Sequence, residues 1–211
     1  MQEVRQTTKQ RFETTALVLL AAGQSSRFED GDKLLAPLWG RPLIAYSAGL
    51  LNKVAVAARV AVVGPGHLKR TSLLQAAGWL VLVNDQANTG MASSLATGVR
   101  EVASIEGVEA ALIMLADMPN VPDSHLIELH DALTPNRLAV MSQVGHALQP
   151  PAIFRRTLFD QLSRVVGDKG ARQLFESLDC KGSVSLDPSF GTDVDTNADL
   201  SKLEFQLTSG K

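Results

Sequence analysis

Three short segments of the chain carry side chains able to handle phosphate and a metal ion. The first, Leu20 to Lys33, reads Leu-Ala-Ala-Gly-Gln-Ser-Ser-Arg-Phe-Glu-Asp-Gly-Asp-Lys and follows the apolar run Ala16-Leu-Val-Leu. A buried strand running into a small-residue loop gives main-chain N–H groups room to approach an anion closely. Gly23 lets the loop wrap around an oligophosphate, and Ser25, Ser26, Arg27 and Lys33 bring hydroxyls and cations to the same ligand. Arg27 is suited to bidentate binding of phosphate and Lys33 to acting as a point charge. The spacing matches neither Gly-x-x-x-x-Gly-Lys-Ser/Thr nor Gly-x-Gly-x-x-Gly.

The second segment is Leu115-Ala-Asp-Met-Pro119, which follows the least ambiguous buried strand of the chain. A carboxylate there is placed to hold a hard divalent cation beside phosphates, although Asp117 also suits a turn before Pro119. The third is Gly191-Thr-Asp-Val-Asp-Thr-Asn-Ala-Asp-Leu200, where Asp193 and Asp195 alternate and share a face if the segment is extended. Asp195 is the candidate to complete a metal site with Asp117, since Mg²⁺ takes only one or two protein carboxylates. Thr196 and Asp199 have the spacing of an acidic capping box at the start of a last helix.

These segments need a scaffold that brings them to one edge. Strand-length apolar runs at Ala16–Ala21, Arg59–Gly64, Leu80–Val83 and Ala110–Ala116 alternate with helix-length stretches at Pro42–Val54, His67–Ala77, Ala92–Val102 and Pro122–Leu133. Runs that are apolar on both faces and separated by helices predict a mostly parallel central sheet covered on both sides, a three-layer Rossmann-like α/β fold. Ligands then sit beyond the carboxyl ends of the strands, on the loops that hold the first two segments. After Leu138 short strands are expected at 138–143, 152–154 and 184–186, with helices at 155–166, 170–178 and 197–204.

At 211 residues the chain suits one domain, read as residues 16–211, preceded by a polar tail at residues 1–15 without the apolar stretch of a secretory signal. An apolar content of 45% argues against disorder. A net charge of −2 gives no basis for binding nucleic acid or an anionic membrane, so an anionic ligand must be held by a few placed cations. A single cysteine, Cys180, rules out an internal disulfide framework and suits a cytoplasmic location, and no apolar run reaches membrane-spanning length.

Together the three segments, in order and spacing, resemble the MobA-like nucleotidyltransferases. Two further stretches narrow the resemblance. Gly90-Met-Ala-Ser-Ser-Leu is similar to a Gly-Met-x-Ser-Ser-Leu segment, and Gly167-Asp-Lys-Gly-Ala-Arg172 is similar to the Gly-Asp-x-Gly-Ala-Arg loop of molybdenum cofactor cytidylyltransferases. The resemblance implies transfer of a cytidylyl group from CTP to the terminal phosphate of molybdopterin carrying molybdenum, with release of pyrophosphate and Mg²⁺ as cofactor. It implies a client enzyme of the xanthine dehydrogenase type. On the nucleotide side it places Leu20, Ala21, Ala22, Gly23, Ser25, Ser26, Arg27, Lys33, Gly90, Ser93 and Ser94. On the acceptor side it places Gln149, Pro151, Gly167, Asp168, Lys169, Gly170, Ala171 and Arg172. Arg27, Lys33 and Asp117 are the catalytic candidates, and Asp117 and Asp195 the metal ligands.

Where the guanylyl branch has Leu-Ala-Gly-Gly this chain has Leu-Ala-Ala-Gly, and a methyl at Ala22 in a base pocket favours a pyrimidine. The chain also departs from the family pattern. Glu29 replaces a glycine, and Glu29, Asp30 and Asp32 set three carboxylates beside the proposed triphosphate site. Those charges favour a non-catalytic nucleotide or cofactor carrier as the rival reading. Guanylyl transfer, and cytidylyl transfer to a sugar or alditol phosphate, are the rivals within the same chemistry.

Overall fold

A computed structural model describes residues 12–28, 31–167 and 171–208. Its strands are β1 (Thr15–Ala21), β2 (Pro37–Leu38), β3 (Arg41–Pro42), β4 (Ala58–Val63), β5 (Leu80–Val83), β6 (Ala110–Leu115), β7 (Ala139–Val144), β8 (Ala147–Arg155) and β9 (Lys181–Ser185). The helices are α1 (Ile44–Ala48), α2 (Leu68–Ala76), α3 (Met91–Ser104), α4 (Asp123–Ala132), α5 (Phe159–Leu162), α6 (Ala171–Ser177) and α7 (Asn197–Thr208). One sheet runs in the order β5-β4-β1-β6-β8-β7-β9, and β8 alone opposes the direction of the others.

Every residue of β1 is buried, as the double-sided apolar pattern requires. Leu17, Leu19 and Ala21 enter the core half that holds Ile44, Leu126 and Leu203, while Ala16, Val18 and Leu20 face the half that holds Leu95, Val99 and Phe159. The chain goes from β1 to β4 and β5 on one side, then returns to place β6 on the other. The loops after β1 and β6 therefore diverge at a switch point and leave a crevice between them.

Helix α3 lies directly on β1 and β4 because Gly98 permits it. A Cβ at Gly98 would sit 2.5 Å from Val18 Cγ1 and 3.2 Å from Val62 Cγ2. Both valines are fully buried and stiff. Overpacking of this kind costs about 1–3 kcal/mol, against a helix-propensity gain of about 1 kcal/mol for Gly→Ala. Gly98→Ala is thus expected to lower the melting temperature, and an unchanged or raised value in a thermal melt would contradict the close packing.

Several sequence expectations need correction. The tail does not extend to residue 15: Phe12 is fully buried and Thr15 opens β1, while residues 1–11 lie outside the described part. The helix expected at 42–54 shrinks to α1 because Arg41–Pro42 pairs with Pro37–Leu38 across Trp39 and Gly40, both at positive φ, and Leu51 also takes positive φ. The helix expected at 155–166 is reduced to a 3-10 turn and α5, because β8 runs on to Arg155. That strand also passes straight through Gln149-Pro150-Pro151. The β7 register jumps from Met141↔Ala152 to Ser142↔Gln149, so the two prolines, which have no N–H, fall at a bulge.

Candidate functional site

At the carboxyl ends of β1 and β6 the sequence-predicted cations and carboxylates form one cluster. Asp32 caps the short 3-10 turn Lys33–Leu35 by accepting from the Leu34 N–H, and this turns the Lys33 side chain inward. The Lys33 Nζ, nearly buried, donates to Asp117 Oδ2 at 2.7 Å and to Asp195 Oδ1 at 2.9 Å. Arg27, otherwise exposed, places Nη1 2.9 Å from Asp195 Oδ2. Val194, fully buried, donates its N–H to the Asp117 carbonyl, which stitches the Asp193–Asp195 segment to the loop after β6.

Electrostatics in the cluster are finely opposed. Burial disfavours the Lys33 ammonium, but Asp117 and Asp195 outweigh it and hold the group above its ordinary pKa. Asp193 is raised above the usual carboxylate value, first by burial and then by Asp117 and Asp195. Asp117 Oδ1 is buried without a hydrogen-bond partner. Among the described residues no three His, Cys, Asp or Glu side chains converge on a metal cage. Asp117 and Asp195 converge on one ammonium, however, and two carboxylates with an unsatisfied buried oxygen suit a hard divalent ion whose remaining positions go to water and phosphate. Lys33 thus meets both candidate metal ligands in this structure.

Beside this cluster lies a cleft of about 470 Å³. Leu20, Ala22, Gly23 and Gln24 form one wall, the Ala87–Met91 turn with Ser94 forms the other, and Leu115 and Asp117 close it. Gly90, at φ 116°, makes the sharp entry to α3. Buried Asn84 fixes that entry by donating to Ser93 Oγ and Ser94 Oγ.

Of the expected nucleotide-side residues, Leu20, Ala22, Gly23, Gly90 and Ser94 line this cleft. Ala21 does not: strand alternation sends its side chain into the opposite core. Ser25 accepts from the Lys33 N–H and from Arg70, Ser26 is exposed, and Ser93 turns back to the carbonyls of Gln86 and Gly90. Thr196 and Asp199 form the capping box expected of them, with Asp199 Oδ2 accepting from both the Thr196 N–H and hydroxyl.

None of the described acceptor-side residues lines this cleft. Gln149 donates to the Gly191 carbonyl, and buried Pro151 lends its carbonyl to Ser142. Arg172 pairs with Glu176 at 2.8 Å along α6, and Ala171 packs against the core. Gly167 lines a second cleft of about 590 Å³ that shares Thr89 with the first, while Asp168, Lys169 and Gly170 lie outside the described residues.

Sequence reasoning missed Arg70. Its side chain is fully buried beneath the loop and takes Asp32 in a two-pronged ion pair. The available signal was the surplus of acid in the loop: Asp32 required a cation, and Arg70 supplies it. Glu29 and Asp30 lie outside the described residues.

The model of the MobA-like NTP transferase domain matches residues 17–182. The chain belongs to this family. This MobA-like chain is 31% identical over 140 residues to the bifunctional protein GlmU of Rhodospirillum rubrum, a match covering 66% of the chain and 28% of that protein. It spans less than a third of the length of such curated relatives. Its fold is that of the Mycobacterium tuberculosis Rv0371c homologue from Mycobacterium sp. strain JC1, with TM-score 0.81 and 22% identity, covering 95% of this chain and 100% of that one. Molybdopterin-guanine dinucleotide biosynthesis protein A from Archaeoglobus fulgidus shares the fold at TM-score 0.65 and 17% identity, covering 92% and 99%. Among the described residues no helix is long and apolar enough to cross a membrane.

Proposed function

We propose that the chain is a Mg²⁺-dependent nucleotidyltransferase that moves a cytidylyl group from CTP to the terminal phosphate of molybdenum-loaded molybdopterin. The observation that carries this reading is the convergence of Arg27, Lys33, Asp117 and Asp195 at the mouth of the Leu20–Ala22 cleft. An oxygen of the acceptor phosphate forms a bond to the α-phosphorus of CTP while the bond to the departing pyrophosphate breaks. The acceptor is already ionised, so alignment and charge neutralisation matter more than a general base. Asp117 and Asp195 would hold Mg²⁺, which would supply Lewis-acid polarisation of the phosphoryl oxygens. Arg27, exposed and paired with Asp195, carries the planar fork suited to neutralising the leaving pyrophosphate. The acceptor assignment rests on the Gly167–Arg172 resemblance, and the molybdopterin-related name of the A. fulgidus protein supports it.

Cytosine is favoured because the Ala22 methyl lines the cleft. Ala22→Gly is expected to reduce the preference for CTP over GTP by about 10- to 100-fold in kcat/KM, the range that one methyl-sized change supplies. The carrier reading loses the feature that favoured it at Asp32, whose charge Arg70 neutralises.

The deciding assay is pyrophosphate release from CTP or GTP with Mg²⁺, with and without molybdenum-loaded molybdopterin. Release from CTP only with acceptor present supports the reading. Turnover of GTP moves the chain to guanylyl transfer. Nucleotide binding without release, whichever acceptor is offered, points to a carrier.

A further inference from the structure

We infer that Arg70, on α2, is a positioning residue that orients the backbone of the Ala22–Gln24 loop toward nucleotide phosphates. The inference rests on reading the Leu20–Ala22 cleft as the nucleotide site. A guanidinium has five N–H donors, and all five of Arg70 are committed. Nε donates to Asp32 Oδ2 at 2.7 Å, and Nη2 donates to Asp32 Oδ1 at 2.6 Å and to Ser25 Oγ at 3.2 Å. Nη1 donates to the carbonyls of Ala21 and Gly23, both at 2.7 Å. The side chain is fully buried, so no donor remains for a ligand. Arg70 therefore acts through the loop and not on the substrate.

The two carbonyl contacts define that action. In a trans peptide the C=O and the following N–H point in opposite directions. With the Ala21 and Gly23 carbonyls drawn into the guanidinium, the N–H groups of Ala22 and Gln24 point away from it. Ala22, Gly23 and Gln24 line the cleft, and Arg70 is not among the residues that do. Successive N–H groups presented on one side of a turn form an anion-binding concavity. Arg70 also fixes Ser25 Oγ, which accepts the Lys33 N–H, so the same clamp sets the turn that delivers the Lys33 ammonium. Asp32 completes the device by cancelling the buried charge and capping that turn.

The role predicts a penalty confined to phosphate. Arg70→Lys keeps a cation but has three donors in place of five and no planar fork. Calorimetric affinities of the folded variant for CTP and for cytidine, with GTP and guanosine in parallel and Mg²⁺ present, separate the loop from the base pocket. Losing charge-assisted hydrogen bonds is expected to weaken triphosphate binding by about tenfold or more, with nucleoside binding changed by less than about twofold. If Arg70→Lys fails to fold, Asp32→Asn gives the second reading. It retains a cap for Leu34 but removes the counter-charge and one acceptor of the fork, and is expected to shift triphosphate affinity in the same direction. Equal loss for nucleoside and nucleotide, or unchanged triphosphate affinity in both variants, overturns the positioning role. A wild-type chain that binds neither nucleotide overturns the nucleotide-site reading instead.

Discussion

Asp117→Asn is expected to cut the rate of pyrophosphate release by about a hundred- to a thousand-fold while leaving the fold intact. That is the scale on which one preorganised electrostatic contact to a developing charge acts. Asp117 stands at the end of β6, one oxygen on Lys33 and the other buried with no partner. Asparagine has the same shape, so the Val194 tether to the residue 117 carbonyl and the packing of Ala116 and Met118 persist. One negative charge is lost from a group of three carboxylates in which Asp193 already resists ionisation, so the melting temperature should change little. Divalent-ion affinity should fall with activity, because Asp195 alone then supplies the charge. Stopped-time pyrophosphate assays, a Mn²⁺ titration by electron paramagnetic resonance and a thermal melt test this together. Activity within a few-fold of wild type would remove Asp117 from the reaction, and a collapse of stability would make its role structural.

The strands were legible because parallel strands covered on both faces are apolar without alternation, and β1, β4 and β6 announce themselves that way. Asp117 and Asp195 were legible as partners because each follows a segment whose direction is fixed by buried neighbours, Leu112 to Met114 before one and Val194 before the other. Prolines misled at both places where local propensity met pairing. Pro42 reads as a helix start but serves β3, and Pro150-Pro151 reads as a break but lies within β8 at a bulge. Arg70 stayed hidden for a different reason. Nothing in the polar run His67–Thr71 says which residue turns inward; that is decided by the carbonyls and Asp32 of a loop about 40–50 residues away in sequence, as the guanidinium contacts show. The direction of Lys33 was hidden in the same way, because the Asp32 cap and the Ser25 contact set it through three dimensions.

Lys33→Met should convert the cluster into an unbalanced group of carboxylates whose stability depends on pH and on divalent ions. In the wild-type chain the Lys33 pKa is raised, so its contribution is fully present below the unfolded value of 10.5 and is lost only as pH climbs through the higher folded value. Lys33 thus remains charged between Asp117 and Asp195 at neutral pH. Methionine retains the aliphatic stem and removes that charge. Asp117, Asp195 and Asp193 then repel one another with Arg27, on the exposed rim, as the remaining described cation on Asp195. Removing one partner of a buried pair costs about 3–5 kcal/mol, and the carboxylates here retain 21% and 26% exposure, so about 1–3 kcal/mol at pH 8 is the fitting scale after screening. The sign follows from linkage. Asp193, already raised by burial, Asp117 and Asp195, loses the Lys33 charge that lowers it, so the variant's deficit grows as pH rises through the carboxylate range and shrinks as pH falls. Mg²⁺ replaces the missing positive charge and should raise the melting temperature of Lys33→Met more than that of the wild type. Pyrophosphate release should nevertheless stay low, because the convergence of Arg27, Lys33, Asp117 and Asp195 on which the proposed reaction rests is then broken. Melts from pH 4 to 8 with and without Mg²⁺, alongside the release assay, separate these effects. A variant as stable as wild type at pH 8 without Mg²⁺, and indifferent to its addition, would show that Lys33 does not neutralise a metal-binding pair.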